Sequence, residues 1–386
     1  MKKDTLIVHA GRHPEQQHGA VNPPVYRAST ITFPSMAALE ESSKAPFEGV
    51  RYGRFGTPTT FAFEEAVAAL EGGWRSIATS SGLAAITGAL TALLSAGDHL
   101  LMVDSVYGPT RKFCDSVLRR FGIETTYYDP LVGAGINSLI RTNTKVVFVE
   151  SPGSLTFEVQ DIPAIVEAAH RHGALVVMDN TWASPLFFQP FAHGVDVSVQ
   201  AATKYIVGHS DAMLGTITTT EELWLKVKTA VAAFGYAAGS EETYLGLRGL
   251  RTLGARLRQH QESGLAVARW LQSRPEVTRI LHPALPDDPG HALWERDFSG
   301  ASGLFGVELK PVSKTALAAL IDGLEHFGLG YSWGGFESLI IPAHIQRTAS
   351  NWKAEGPVIR LHIGLEDPQD LIADLEKGLE RMRKAS

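Results

Sequence analysis

Residues 145–150 and 175–178 form two nearly continuous apolar runs, the first ending on Glu150 and the second leading into Asp179. A strand that is apolar on both faces needs cover on both, which points to a mostly parallel sheet layered between helices. The segment between the runs supplies a crossover. Asp161 caps a helix, Pro163 lies in its first turn and Gly173 closes it. Upstream, Thr59 and Thr60 can cap a helix through Phe63, Val67 and Leu70 that ends at Gly72 and Gly73. Residues 77–79 then read as a strand, 82–94 as an apolar helix, 99–104 as a strand and 110–121 as a helix. This repeated alternation predicts an α/β fold.

At 386 residues the chain is too long for one ordinary core. Residues 1–58 are interrupted by Asn22-Pro23-Pro24, Pro34, Pro46 and Gly53. They are expected to be an irregular N-terminal arm that wraps another domain or a neighbouring subunit. Residues 59–250 carry the alternation. Residues 251–386 mix strands and helices, with a clear strand over 303–309, and read as a smaller α+β domain. Arg248, Arg251, Arg256 and Arg258, interleaved with leucines, read as a salt-bridged helix face.

The net charge of −6, with no long block of one sign, argues against nucleic acid or an anionic membrane as the main partner. No apolar run approaches the ~20 residues of a membrane span. The first residues make no signal peptide, so a cytoplasmic location is expected. The single cysteine excludes an internal disulfide and a multi-cysteine metal site. Cys114 itself reads as a packed helix residue or as a reactive thiol.

The chemistry concentrates over residues 196–211, where an alternating strand runs into small residues, then Thr203 and Lys204. A lysine in such a pocket can lose its proton and form a Schiff base with an aldehyde; a solvated lysine at a strand end is the alternative. Ligands of parallel sheets bind beyond the carboxyl ends of the strands, where other candidates fall. Ser80-Ser81-Gly82-Leu83 can offer helix-start amides to a phosphate. Tyr107 can stack on a flat ring or simply pack. Asp179 can keep a pyridine nitrogen protonated, or cap a helix or pair with a cation. Thr203 can donate to a phosphate. Arg360, on an apolar strand near the C-terminus, can clamp an α-carboxylate or face outward. Together these parts suit a pyridoxal 5'-phosphate (PLP) site.

These residues resemble the Cys/Met metabolism family of PLP enzymes, fold type I, over almost the full chain. The segment Arg51-Tyr52-Gly53-Arg54 is similar to one that, in the family, reaches the cofactor phosphate of the adjacent subunit. The resemblance implies that role for Tyr52 and Arg54. It implies phosphate binding by Gly82, Leu83 and Thr203, ring stacking by Tyr107 and pyridine contact by Asp179. Lys204 becomes the Schiff-base lysine, with Lys204, Tyr107 and Asp179 as the catalytic set. Arg360, Ser332 and Trp333 become substrate contacts. No metal is implied. A homo-oligomer, a tetramer built from dimers that share their active sites, is implied too.

Within the family, residues 200–211, 248–254 and 331–338 are similar to the branch that cleaves L-cystathionine to homocysteine, pyruvate and ammonia, in methionine biosynthesis by transsulfuration. Ala201 stands where many members have a serine, and Trp333 where γ-specific members carry a smaller residue; both are similar to the β-lyases. The alternative is a γ-type enzyme: cystathionine γ-lyase, methionine γ-lyase or a γ-synthase. Other classes fit poorly. The cluster Gly133-Ala134-Gly135 lacks the third glycine of a dinucleotide turn. His170-Arg171-His172 lacks a metal-binding helical spacing. His209-Ser210-Asp211 holds the letters of a serine triad but, as neighbours, cannot form one.

Overall fold

The computed structural model describes residues 1–385. Seven strands form the larger sheet: β1 (Arg75–Thr79), β2 (His99–Val103), β3 (Glu124–Tyr128), β4 (Thr144–Glu150), β5 (Leu175–Asp179), β6 (Val197–Gln200) and β7 (Gly215–Thr219). Their order is β1-β7-β6-β5-β4-β2-β3. β3, β2, β4, β5 and β6 are mutually parallel, while β7 runs antiparallel to β6 and β1. The apolar runs behave as their composition requires. β2 is buried at all five positions, and Val146 to Val149 and Val176 to Met178 are fully covered.

From β2 the chain steps outward to β3, then returns past β2 to β4, β5 and β6. That reversal lies between β2 and β4 and opens a crevice at the strands' carboxyl ends.

The smaller sheet holds β8 (Val277–Leu281), β9 (Leu304–Leu309), β10 (Phe327–Leu329), β11 (Ser338–Pro342) and β12 (Val358–His362), in the order β10-β11-β12-β9-β8. All its pairings are antiparallel except β10 with β11. Its core includes Phe305, Val307, Ile340, Leu361 and the inner face of the last helix, and is separate from the core of the large sheet. The helix Leu253–Gln272 feeds both: Leu253 and Leu257 pack in the first, Val267 and Leu271 in the second. It is the rod that holds one sheet against the other.

Several expectations are corrected. The helix Pro58–Glu71 is capped by Thr57, not by Thr59 or Thr60, with proline at its start. Thr59 accepts from the Tyr26 amide at 2.9 Å and donates to the Pro24 carbonyl at 2.8 Å, stitching the arm to this helix. The arm is less irregular than its prolines suggest, with helices at Lys3–His9 and Met36–Lys44. Ile7 is its one buried large hydrophobe among the described residues, so it has little core of its own.

The helix expected over 110–121 begins at Gly108, and a π turn at Cys114–Leu118 interrupts it. Cys114 is fully buried there, and burial pushes its thiol up to about 12, so it is a packing residue. The arginine face is only partly a salt-bridged one. Arg258 pairs with Asp4, but Arg251 donates to the carbonyls of Ile7 and Ala10. Arg256 donates to those of Tyr205, Ile206 and Gly249. The latter two arginines tie backbone ends together.

Candidate active site

Because six of the seven strands, β1 included, point the same way, their carboxyl ends open on one edge, and the segments that leave them meet there. The chain leaving β1 turns through Ser80 and Ser81 into the helix Gly82–Leu93. Ser81 caps this helix by accepting from the Ala84 amide at 3.1 Å, which leaves the Gly82 and Leu83 amides facing out of the helix start. A Cβ on Gly82 would lie 2.5 Å from that of Ala201, so only glycine lets the helix start approach the lysine loop this closely.

Asp179, the last residue of β5, is nearly buried. Its Oδ1 accepts from the Thr181 amide at 3.0 Å and the Thr181 hydroxyl at 2.5 Å, and among the described residues no hydrogen bond falls on Oδ2. Burial raises the carboxyl above its ordinary range, opposed by the Thr181 bonds and by the charge on Lys204. Thr181 in turn accepts from the Ala201 amide at 2.9 Å, which fixes Asp179 to the start of the lysine loop.

Lys204 sits in the turn after β6. Its Nζ donates to Ser332 Oγ at 2.6 Å and lies 5.2 Å from the centre of the Trp333 ring. Burial, and then the nearby Arg360 charge, lower its amine to about 8, against the opposite pull of Asp179. Arg360, on β12, donates to the Ser332 carbonyl at 2.8 Å. Lys204, Ser332, Trp333 and Arg360 thus converge from two sheets. Tyr107 lies at the end of the β2 loop, partly exposed. Burial, then the negative charges of Asp179 and Glu150, raise its phenol, and the Arg360 charge opposes them.

Of the remaining candidates, Thr203 is engaged by the main chain, and Tyr52 and Arg54, expected to serve a neighbouring subunit's site, lie apart from the lysine in their own chain. The Thr203 hydroxyl donates to the Leu214 carbonyl at 3.0 Å and accepts from the Leu214 amide at 2.9 Å. Its one proton therefore serves the main chain, and a phosphate would compete for it. Tyr52 and Arg54 do not contact Lys204, Asp179 or Gly82 among the described residues. Tyr52 is exposed, and Arg54 donates to the Ala232 carbonyl at 2.5 Å and stacks on Phe55.

Sequence reasoning missed Glu150, the Cα partner of Asp179 across β4 and β5. Its Oε2 accepts from the Tyr107 amide at 2.8 Å, and burial, then Asp179, push its carboxyl far above the usual range. The argument made for Asp179, a carboxylate closing an apolar strand, applied to it equally. Asp104 was missed as well. It takes bonds from Arg111, from Thr348 and Ser350 through amide and hydroxyl, and from the Ala349 amide, and so docks the segment before β12 beside the Tyr107 loop.

The rival motifs are absorbed elsewhere. Gly133–Ser138 is a surface 3-10 turn. His170 pairs with Asp196, and His172 with Asn137. His209 bonds the Val207 carbonyl, while Ser210 donates to Glu337.

A buried carboxylate with one uncommitted oxygen, a helix start pressed to a lysine loop, and a lysine of lowered basicity fit PLP: an acceptor for the pyridine nitrogen, amides for the phosphate, an amine for the aldehyde. The fold and this donor set define a PLP enzyme of fold type I. The chain belongs to the Cys/Met metabolism PLP-dependent enzyme family, whose model matches residues 4–380, and PLP is its cofactor. It is 45% identical to a cystathionine beta-lyase of Escherichia coli, over 99% of both chains. It is 44% identical to a cystathionine beta-lyase of Salmonella typhimurium, over 98% of both. Among solved structures, a cystathionine gamma synthase of Xanthomonas oryzae pv. oryzae superposes with a TM-score of 0.91 at 32% identity, with complete coverage of both chains. No helix among the described residues is long and apolar enough to cross a membrane.

Proposed function

We propose that this chain is a carbon–sulfur β-lyase that cleaves L-cystathionine to homocysteine, pyruvate and ammonia, serving methionine biosynthesis in the cytoplasm. The observation that carries the reading is the convergence of Lys204, Ser332, Trp333 and Arg360, in a chain so similar along its length to two cystathionine beta-lyases. We further propose an arm over 1–58, a PLP-binding domain over 59–250 and a C-terminal domain over 251–386.

In this reading Asp179 Oδ2 accepts from the pyridine nitrogen, the amides of Gly82 and Leu83 hold the phosphate, and the Tyr107 ring covers the cofactor. Thr203 joins the phosphate ligands if its proton leaves the Leu214 carbonyl. Bound PLP supplies an electron sink for the charge that develops at Cα. Arg360 forks onto the substrate α-carboxylate. That fixes Cα within reach of the Lys204 amine, which at about 8 is basic enough to take the Cα proton and is partly neutral at pH 7. The same amine then lies beside the departing sulfur and can return a proton to it. Ser332 holds Nζ on this line, and the Trp333 indole limits how the substrate backbone sits, favouring departure from Cβ. The three-carbon remainder hydrolyses to pyruvate and ammonia.

The test is to incubate the purified enzyme with L-cystathionine and identify the keto acid. Pyruvate with homocysteine is expected. Predominant 2-oxobutyrate with cysteine would assign the chain to the γ branch instead.

A further inference from the structure

Behind the lysine loop lie three buried rings, two of them histidines with unfinished hydrogen bonding. Tyr205, His260 and His362 are fully buried. Their ring centres are 5.2 Å (Tyr205 to His260), 5.9 Å (Tyr205 to His362) and 5.3 Å (His260 to His362) apart. His260 Nε2 and His362 Nδ1 are buried with no hydrogen-bond partner among the described residues, while Tyr205 Oη lies beside Ser302 and Gly303. None of these atoms has a part in the proposed chemistry.

The tautomers follow from the neighbours. His260 Nδ1 lies 2.8 Å from the Ile363 carbonyl, which can only accept, so Nδ1 carries the proton. Burial holds His260 neutral, near 4, so its Nε2 is bare. His362 Nε2 faces two groups of opposite demand, the Gly334 amide at 3.1 Å and the Gly335 carbonyl at 3.2 Å. A bare Nε2 satisfies the Gly334 amide and puts the proton on Nδ1. A protonated Nε2 would leave the Gly334 amide unmet and two bare nitrogens on adjoining buried rings. An unpaired buried amide is the rarer defect, so the first tautomer is selected.

The Gly334 amide belongs to the turn that meets the lysine. Ser332 is held at φ +76°, a left-handed conformation that a serine adopts only when its surroundings impose it. Gly334, at φ +87°, lies so close to the lysine that a Cβ there would be 2.9 Å from Lys204 Cα. Some bond must hold this turn down, and His362 supplies one from the strand that also carries Arg360.

We propose that His362 is a positioning residue: its bare Nε2 anchors the Gly334 amide and so keeps Ser332 against the Lys204 amine. The inference deepens the proposed reading of the site. Its deciding readout uses the apoenzyme and no substrate, so it fails separately from the cystathionine assignment.

The experiment compares His362→Gln, whose Oε1 reaches where Nε2 was, with His362→Asn, whose shorter side chain does not, and with His362→Leu, which has no acceptor. Competitive acetylation of each apoenzyme, read by peptide mass spectrometry, gives the titration midpoint of Lys204. The Gln variant is expected to keep the wild-type midpoint. The Asn and Leu variants should move it upward by about half a unit or more, because a released turn lets water reach the amine. With substrate, the loss should fall on kcat, by roughly tenfold or more in the Asn and Leu variants, with KM little changed and Gln restoring the rate. If the Leu variant fails to fold, the Gln and Asn pair asks the same question without a fully apolar replacement. Equal midpoints in Gln and Asn, or an unmoved midpoint in Leu, would overturn the proposal.

Discussion

At the scale of single residues, the site turns on how Arg360 acts on Lys204. Burial comes first in lowering the lysine to about 8, and the guanidinium adds to it. The arginine feels its own burial, which brings it to about 10, with Tyr107 and Tyr205 opposing. Arg360→Ala should therefore do two things. It should cost on the order of 2–5 kcal/mol in kcat/KM, as loss of a bidentate charged contact in a desolvated site does. It should also raise the Lys204 midpoint above 8 in the acetylation assay. An unchanged kcat/KM would mean that Arg360 does not hold the carboxylate. Lys204, Asp179 and Arg360 were legible in the sequence because each stands out against an apolar strand or its small-residue end. The contact of Lys204 with Ser332 was not, because 128 residues separate them and only the packing of two sheets joins them.

At the scale of elements, β6 is tied to the helix Pro58–Glu71 by one buried carboxyl. Glu71 is fully buried and accepts from Gln200 Nε2 at 2.5 Å, just ahead of the lysine loop. Burial, the leading cause, raises Glu71 to about 7. A carboxyl raised in the folded state binds more protons there than when unfolded. Its contribution is therefore complete below about 4.5 and is lost as pH rises through 7. Glu71→Gln removes that dependence while keeping the acceptor for Gln200. Between pH 6 and pH 8 the wild type should lose roughly 1 kcal/mol relative to the variant, read as diverging denaturant midpoints. Parallel curves across that range would mean that Glu71 stays ionised throughout. The parallel strands and their helices were legible because burial on both faces leaves a continuous apolar signature. β7 was not, since its threonines carry no such pattern. Nor was the capping role of Thr57, which lies next to other hydroxyls of equal promise.

At the scale of the whole molecule, the arm raises the question of assembly. Tyr52 and Arg54 lie on a segment with almost no core, away from Lys204 in their own chain. If they complete a neighbour's phosphate site, two crippled proteins should rescue each other. Mixing Lys204→Ala with Arg54→Ala subunits under exchange conditions should restore up to about a quarter of wild-type activity, since only sites built from both intact halves work. No recovery, together with an active monomer at sedimentation equilibrium, would count against shared sites. The arm's lack of a core was legible in its prolines, whereas the stitching by Thr59 was not, because it depends on where the arm crosses the helix. Beneath these predictions lies one claim, that the two sheets and the helix Leu253–Gln272 exist to present Lys204 to PLP. Borohydride reduction of the PLP-loaded protein, followed by peptide mapping, tests it most directly. The account predicts the pyridoxyl group on Lys204 alone, and a pyridoxyl group on any other lysine would contradict it.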